Sequence, residues 1–485
     1  MATRSNSHGI STVDNFVDSF SQAISDRNAA VFAGAGLSIP AGMVNWKALM
    51  KAIAHDVGLD VAKEDDLVAL AQYHVNRVGV RHKINQALVT EFSERAKSTT
   101  NHGLLASLPI RTYWTTNFDH LIEEALRAVG KKPDVKSRTQ NLAITAHLRD
   151  CIVYKMHGDV DHPDEAVITK DDYETYQTKR QLFSTALQGD LVSKTFLFVG
   201  FSFNDPNLNY ILGRIRILLG VNQRQHYALL RRVQRLDFKS RGDYLYALAK
   251  QDLQVQDLTR YGIAGVLVDD YKEYTNILGR ISARYKRTRV FISGSAHTYG
   301  SWSQADAEKL ISGIGQTLSR AAFGVVSGFG EGVGSLLLNG VLNTFSEGGW
   351  PEFGDRLTLR PFPLSIRDAV ERKTRWTAYR KAMLSRAGMI VFLFGNKCSE
   401  TREVVHSDGM EEEFRIARSL GLVVLPVGCT GYVAAKLHSQ LMQNFDAYYP
   451  NTIGLKGLFR ALGKKQRPER VVKTLMELIV KLKEG

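Results

Sequence analysis

Short apolar runs rich in β-branched and aromatic residues recur along the chain, separated by stretches of helical period. In the first half they are Ala30-Val31-Phe32, Thr112-Tyr113-Trp114, Ile152-Val153-Tyr154, Thr195–Val199, His226–Leu230 and Ile263–Val268. Runs that are apolar without alternation predict strands covered on both faces, as in a parallel sheet. Val13, Phe16, Val17, Phe20, Ala23 and Ile24 follow the i, i+3, i+4 spacing of an amphipathic helix ahead of the first strand. Residues 46–108 carry only helical patterning, with Trp46, Leu49, Met50 and Ile53, then Ile84, Leu88, Val89 and Phe92. That length exceeds one crossover and predicts a helical insertion packed over whatever pocket the sheet forms.

A second cycle begins after a charged connector. Val290-Phe291-Ile292, Gly324–Val326, Leu357–Leu359, Met389–Phe394 and Leu422–Val427 read as strands, with a helix from about Gln304 to Arg320. The expected fold class is α/β, with two doubly wound Rossmann-like domains, the first carrying the helical insertion. The expected division is a flexible tail over 1–12, a first domain over 13–283, a connector over 284–288 and a second domain over 289–485. A chain of 485 residues is too long for one ordinary core. No apolar run approaches bilayer length, and Met1–Ser11 lacks the apolar core of a signal peptide, so no membrane role and a cytoplasmic location are expected.

Composition narrows the chemistry. Apolar residues make up 44% and charged residues 23%, which excludes wholesale disorder. The net charge of +14 gathers at Arg280, Arg284, Lys286, Arg287 and Arg289 and again at Lys464, Lys465, Arg467, Arg470 and Lys473. No nucleic-acid motif accompanies these clusters and no aromatics interleave them, so solvated faces or attraction of a pyrophosphate are favoured over a nucleic-acid partner. The three cysteines, Cys151, Cys398 and Cys429, lack CxxC spacing, which removes a four-thiolate zinc site and a disulfide framework. No metal is expected.

Three segments carry candidate chemistry, each directly after a strand: Gly34-Ala35-Gly36-Leu37-Ser38, Thr115-Thr116-Asn117-Phe118-Asp119 and Met156-His157-Gly158-Asp159. Loops leaving the carboxyl ends of strands in an open α/β sheet converge on one crevice. Gly34 and Gly36 let backbone N–H groups approach phosphate oxygens, although a plain strand-to-helix turn has the same composition. Asn117 and Asp119 also suit the cap of a helix over 120–129, and a lone histidine also suits a core. The three together resemble the sirtuin fold, which carries a GAGxS turn, a TQNxD segment and a catalytic HG. Val199-Gly200-Phe201-Ser202 fits that family's Gly-x-Ser loop, and the likeness covers roughly residues 13–283. The resemblance implies NAD+ as substrate, with Gly34, Ala35, Gly36, Ser38, Gly200 and Ser202 binding it. It implies that Asn117 positions the nicotinamide ribose, Asp119 faces the nicotinamide amide and His157 is the general base. Deacylating sirtuins hold a zinc on four cysteines and carry Ile-Pro-Asp-Phe-Arg after the glycine turn. Here Gly42 is followed by Met43-Val44-Asn45-Trp46-Lys47, so water becomes the expected acceptor. Protein deacylation, ADP-ribosyl transfer and a non-catalytic nucleotide- or nucleic-acid-binding role remain as alternatives.

In the second half, Ser293-Gly294-Ser295, the Gly328–Ser335 loop and the Gly409–Phe414 helix start resemble the SLOG superfamily of nucleotide binders and hydrolases. The PGGxGTxxE motif of its hydrolases is broken here, since Phe394-Gly395-Asn396-Lys397 loses the double glycine and Glu413 is displaced by an insertion. The resemblance therefore implies a sensor, with Ser293, Gly294, Ser295, Gly328, Gly330, Gly332, Gly334, Arg360, Arg380, Lys381 and Glu413 around the signal. A sirtuin-like domain followed by a SLOG domain is similar to the effectors of the Thoeris anti-phage defence system. That likeness implies activation by a cyclic ADP-ribose isomer, made by a TIR-domain partner protein, and a homotetramer.

Overall fold

The computed structural model describes residues 9–43, 45–92, 96–345, 356–362, 368–450 and 454–484. The chain divides into two compact units, Met1–Ser282 and Ala283–Gly485.

In the first unit the described strands are β1 (Ala29–Ala33), β2 (Thr112–Thr115), β3 (Pro133–Lys136), β4 (Cys151–Lys155), β5 (Thr195–Val199), β6 (His226–Arg231) and β7 (Ile263–Val268). They form one sheet in the order β3-β4-β2-β1-β5-β6-β7, with every pairing parallel. β1, β2 and β5 are buried at every position, as their unbroken apolar runs require. β3 was not expected. It is an edge strand that opens on proline and buries only Asp134 and Lys136, so it lacks the apolar signal of its neighbours.

The insertion forms helices Trp46–Asp56, Leu67–Val78, His82–Phe92 and Thr100–Ser107. Asn45 and Asp66 cap the first two, accepting from Ala48 N and Ala69 N at 2.9 Å each. Leu49, Met50, Ile53, Leu70, Ile84 and Leu88 pack into a separate cluster with Phe118, Ala166 and Ile168. The insertion is thereby anchored on the loops that leave β2 and β4. Arg81 ties it further, reaching both oxygens of Asp172 at 3.1 Å and Ala166 O at 2.8 Å.

Residues 1–8 of the expected tail lie outside the described residues. Residues 9–11 do not form a tail. Ile10 bridges Gly265 in parallel, Ser11 N donates to Gly265 O at 2.9 Å and Gly265 N to Gly9 O at 3.0 Å. Thr12 then caps the helix Val13–Ser25, its Oγ1 accepting from Asn15 N. The expected connector also differs: residues 284–286 are the last turn of the helix Lys272–Lys286, whose apolar stripe of Ile277, Leu278 and Ile281 carries the helix past the charged residues.

The second unit holds β8 (Arg289–Ser295), β9 (Gly324–Ser327), β10 (Leu357–Leu359), β11 (Met389–Phe394), the hairpin β12 (Asn396–Cys398) and β13 (Val404–His406), and β14 (Val423–Pro426). Its main sheet runs β10-β9-β8-β11-β14, all parallel. The antiparallel hairpin fills the insertion that displaces Glu413. Among the described residues no helix is long and apolar enough to cross a membrane.

Candidate active site

The strand order of the first unit reverses at β1, which pairs β2 on one side and β5 on the other. The loops after these three strands and after β4 share one sheet edge, the place where open α/β sheets take ligands. The glycine turn and the loop after β5 meet backbone to backbone: Gly34 N donates to Val199 O at 3.0 Å and Gly36 N to Gly200 O at 2.9 Å. Gly200 has φ +64°, and a Cβ there would fall 2.3 Å from Leu37 N. These glycines therefore serve loop packing as well as any phosphate contact. Ser202 is exposed on the same loop.

Asn117 is buried. Its backbone N–H donates to Thr115 Oγ1 at 2.9 Å, and its Nδ2 donates to Gly34 O at 3.2 Å and Ser38 Oγ at 3.0 Å. Ala35, Ser38, Asn117 and Asp119 line a narrow cavity that Met43, Trp46 and Phe92 of the insertion help to close. The structure thus brings together the glycine turn, Asn117 and Asp119. Asp119 Oδ1 also accepts from Leu121 N at 3.0 Å, a side-chain turn that leads into the helix Leu121–Ala128, whose N-cap position is His120.

His157 leaves β4, beside β2, with its carbonyl accepting from Val167 N at 2.8 Å. Its ring meets Tyr173 and Tyr176 edge-on, at centroid distances of 5.5 and 6.3 Å. Its Nε2 lies 3.0 Å from Asp205 Oδ2, although the approach is bent and falls outside hydrogen-bond geometry. Burial works to raise the Asp205 carboxyl, yet the charge and contact of His157 and the N–H groups of the following helix hold it below the ordinary carboxylate value. Asp205 was not among the expected site residues. The signal in the sequence, Asp before Pro206 at a helix start, reads only as a cap, and Asp205 Oδ1 does accept from Leu208 N at 2.8 Å.

Beneath these loops lies a buried charge cluster that sequence reasoning also missed. Lys155 is 0% exposed; its Nζ sits 2.6 Å from Asp159 Oδ2 and 3.4 Å from Glu123 Oε1, and donates to Phe118 O at 3.0 Å and Asp119 O at 2.6 Å. Burial raises the Glu123 carboxyl against the pull of Lys155. Burial also works to raise the Asp159 carboxyl, but His120, at 2.8 Å, and Lys155 hold it well below the usual range. His120, Asp159 and Asp161 bring three donor atoms within 4.8 Å of one another, the one such group among the described residues. Of the three, Asp159 also pairs with Lys155. The three cysteines form no disulfide.

In the second unit the glycine-rich loop folds onto the turn after β8. A Cβ on Gly330 would fall 2.0 Å from Gly294 O, and one on Gly332 2.1 Å from Ala296 O. Ser295 Oγ lies 3.9 Å from Met410 Sδ. Ser293 Oγ donates to Glu413 Oε2 at 2.6 Å, and Arg380 approaches Glu413 Oε1 at 3.6 Å and Glu412 Oε2 at 2.7 Å. Burial raises the Glu413 carboxyl against these partners. The Arg380 guanidinium stacks over Phe362 at 4.8 Å, and the Phe362 ring lies against Gly328. Ser293, Gly328, Arg380 and Glu413 are therefore gathered. Arg380 is buried and bound to carboxylates rather than a free surface cation, whereas the neighbouring Lys381 is exposed. Arg360 N extends the β10–β9 ladder onto Ser327 O at 3.0 Å, and Gly334 opens the helix Gly334–Phe345.

Comparison with known proteins agrees with both halves. A family described as SIR2-like domain matches residues 111–255, and one described as Sir2- and TIR-associating SLOG family matches residues 273–482. A relative from Acinetobacter baumannii is 46% identical over 441 residues, covering 90% of this chain and 92% of its own. One from Bacillus cereus is 45% identical over 470 residues, covering 96% and 98%. One from Cytobacillus dafuensis is 43% identical over 478 residues, covering 97% and 96%. All three carry the name NAD(+) hydrolase ThsA.

Proposed function

The chain belongs to the ThsA family of NAD(+) hydrolases, and on that premise we propose that it is an anti-phage defence effector whose first unit cleaves NAD+ when the second unit binds a nucleotide signal. It is an NAD+ hydrolase. The observation that carries the assignment of the site is Asn117, buried and locked by its amide to Gly34 and Ser38 at the switch point of the sheet.

Breaking the nicotinamide–ribose bond develops positive charge on the ribose and releases a neutral leaving group. Ribose orientation is therefore needed, together with a base that activates water near neutral pH. Asn117 supplies the first and His157 the second. Asp119 and the cavity beside Asn117 take the nicotinamide, while the backbone of Gly34–Ser38 and Gly200–Ser202 takes the rest of the dinucleotide. Water adds its oxygen to C1′ as the C1′–N bond breaks, the bond pair leaves with nicotinamide, and the water proton passes to His157. No step calls for a metal.

The signal in this reading is a cyclic ADP-ribose isomer from a TIR-domain partner, which accords with the TIR-associating description of the matched family. It is held by the Ser293–Ser295 turn, the Gly328–Gly334 loop, Arg360 and Lys381, with Arg380 and Glu413 beneath. The enzyme acts in the cytoplasm as a homotetramer. Exposed Ile217, Leu218, Val221 and Leu236 on the first unit support self-association.

Incubating the protein with NAD+ alone, with an acyl-peptide, and with a panel of cyclic ADP-ribose isomers tests all of this through nicotinamide release. Hydrolysis without peptide, rising with one isomer and lost in Asn117→Ala, is expected. Release only with peptide refutes the hydrolase mechanism, and indifference to every isomer refutes the sensor.

A further inference from the structure

We propose that Asp205 is the positioning residue of this site: it holds His157 by Nε2, keeps the ring proton on that nitrogen, and leaves Nδ1 as the atom that takes the proton from water. The inference rests on the reading of His157 as the base.

The two oxygens of Asp205 are aimed at different partners. Oδ1 accepts from Leu208 N at 2.8 Å, the first-turn cap of the helix Pro206–Leu219. Oδ2 faces His157 Nε2 at 3.0 Å. Tyr173, edge-on to the His157 ring, turns its hydroxyl to the same carboxylate. Both members of the pair are nearly closed to solvent, with side chains 4% and 7% exposed. An ionised carboxylate only accepts hydrogen bonds, so a neutral histidine facing it must present Nε2–H. A cap alone needs no charge, since Asn, Ser and Asp cap helices about equally well. The carboxylate at this position is explained by the histidine and not by the helix.

Asp205→Asn separates the two roles. With Oδ1 still held by Leu208 N, the atom turned to His157 becomes an NH2 donor, which forces Nε2 to accept and moves the ring proton onto Nδ1. Asp205→Ser keeps the cap but is too short to reach the ring. The full-length protein is assayed for NAD+ hydrolysis with and without cyclic ADP-ribose, and its histidine tautomers are read by 15N spectroscopy. The expected order of kcat is wild type, then Asp205→Ser, then Asp205→Asn, the last down by roughly ten-thousandfold, as for a catalytic histidine trapped in the wrong tautomer. KM and the thermal midpoint should barely move, and the His157 proton should shift from Nε2 to Nδ1 in Asp205→Asn. Wild-type kcat in Asp205→Asn alongside a dead His157→Ala overturns the positioning role alone. Full activity in His157→Ala overturns the base assignment and the proposal with it.

Discussion

Replacing Lys155 by methionine, which keeps most of its volume and removes its charge, should damage both the stability of the first unit and the shape of its site. The ammonium is wholly buried, pairs with Asp159 at 2.6 Å and Glu123 at 3.4 Å, and donates to the carbonyls of Phe118 and Asp119. Lys155→Met leaves buried Glu123 without its cation, Asp159 with His120 alone, and two carbonyls without their donor. Removing one partner of a buried pair costs about 3–5 kcal/mol, because the remaining charge is left uncompensated. At roughly 2–4 °C per kcal/mol, the melting transition of the first unit should fall by about 6–20 °C. Phe118 and Asp119 flank the loop that presents Asn117, so NAD+ hydrolysis below the new transition should also drop, by roughly tenfold or more. Differential scanning calorimetry of the full chain and nicotinamide release measure the two effects. Adding Glu123→Gln and Asp159→Asn should recover part of the lost stability, since the penalty lies in the stranded charges. A melting point within 2 °C of wild type would falsify the view that this cluster supports the site, and a triple variant no better than the single would place the loss in packing instead.

Gly200→Ala should lose NAD+ hydrolysis and several degrees of thermal stability, because its Cβ would sit 2.3 Å from Leu37 N at a φ of +64°; an unaffected variant would show that the two loops can separate freely. Acid should weaken the fold through His102 and His226, which burial pushes down to about 4 and about 3. Their folded values lie below the unfolded value of about 6.5, so the unfolded chain binds protons first and stability declines as pH falls from about 6.5 toward those values, by on the order of 3 kcal/mol for His102 and 5 kcal/mol for His226. His226→Asn retains an acceptor for Phe196 N–H and should flatten that slope in melting curves taken between pH 7 and 4.5. Dialysis against a chelator should leave nicotinamide release within about twofold of the untreated rate, as a reaction driven by ribose orientation and a histidine base requires; loss restored by added zinc would contradict this.

The strands that build the first site were legible because their burial is written in composition: Phe32, Trp114 and Phe198 stand in runs with no polar alternation. The glycine turn and Asn117 were legible because each follows such a run at once. What stayed hidden was partnership. Lys155 ends an apolar strand and reads as the usual charge at a strand end, and only the fold shows Glu123 and Asp159 closing over it. Asp205 carries a complete local explanation as a cap, so nothing in the sequence asks for a second. β3 lacks the apolar content that announces an edge strand, and Arg380, expected beside the signal, owes its burial to Glu412 and Phe362, which lie elsewhere in the chain.

Residues 9–11 have a colloidal consequence as well as an architectural one. β7 is the last full strand of its sheet, and an open strand edge is a template on which copies of a chain can stack. The hydrogen bonds from Ser11 N to Gly265 O and from Gly265 N to Gly9 O occupy that template midway along β7, and Gly9 lies too close to Thr259 for any side chain. This short segment acts as a guard against self-templating. Preparations shortened past Thr12 should be judged first by their tendency to aggregate, before any loss of turnover is blamed on the catalytic loops.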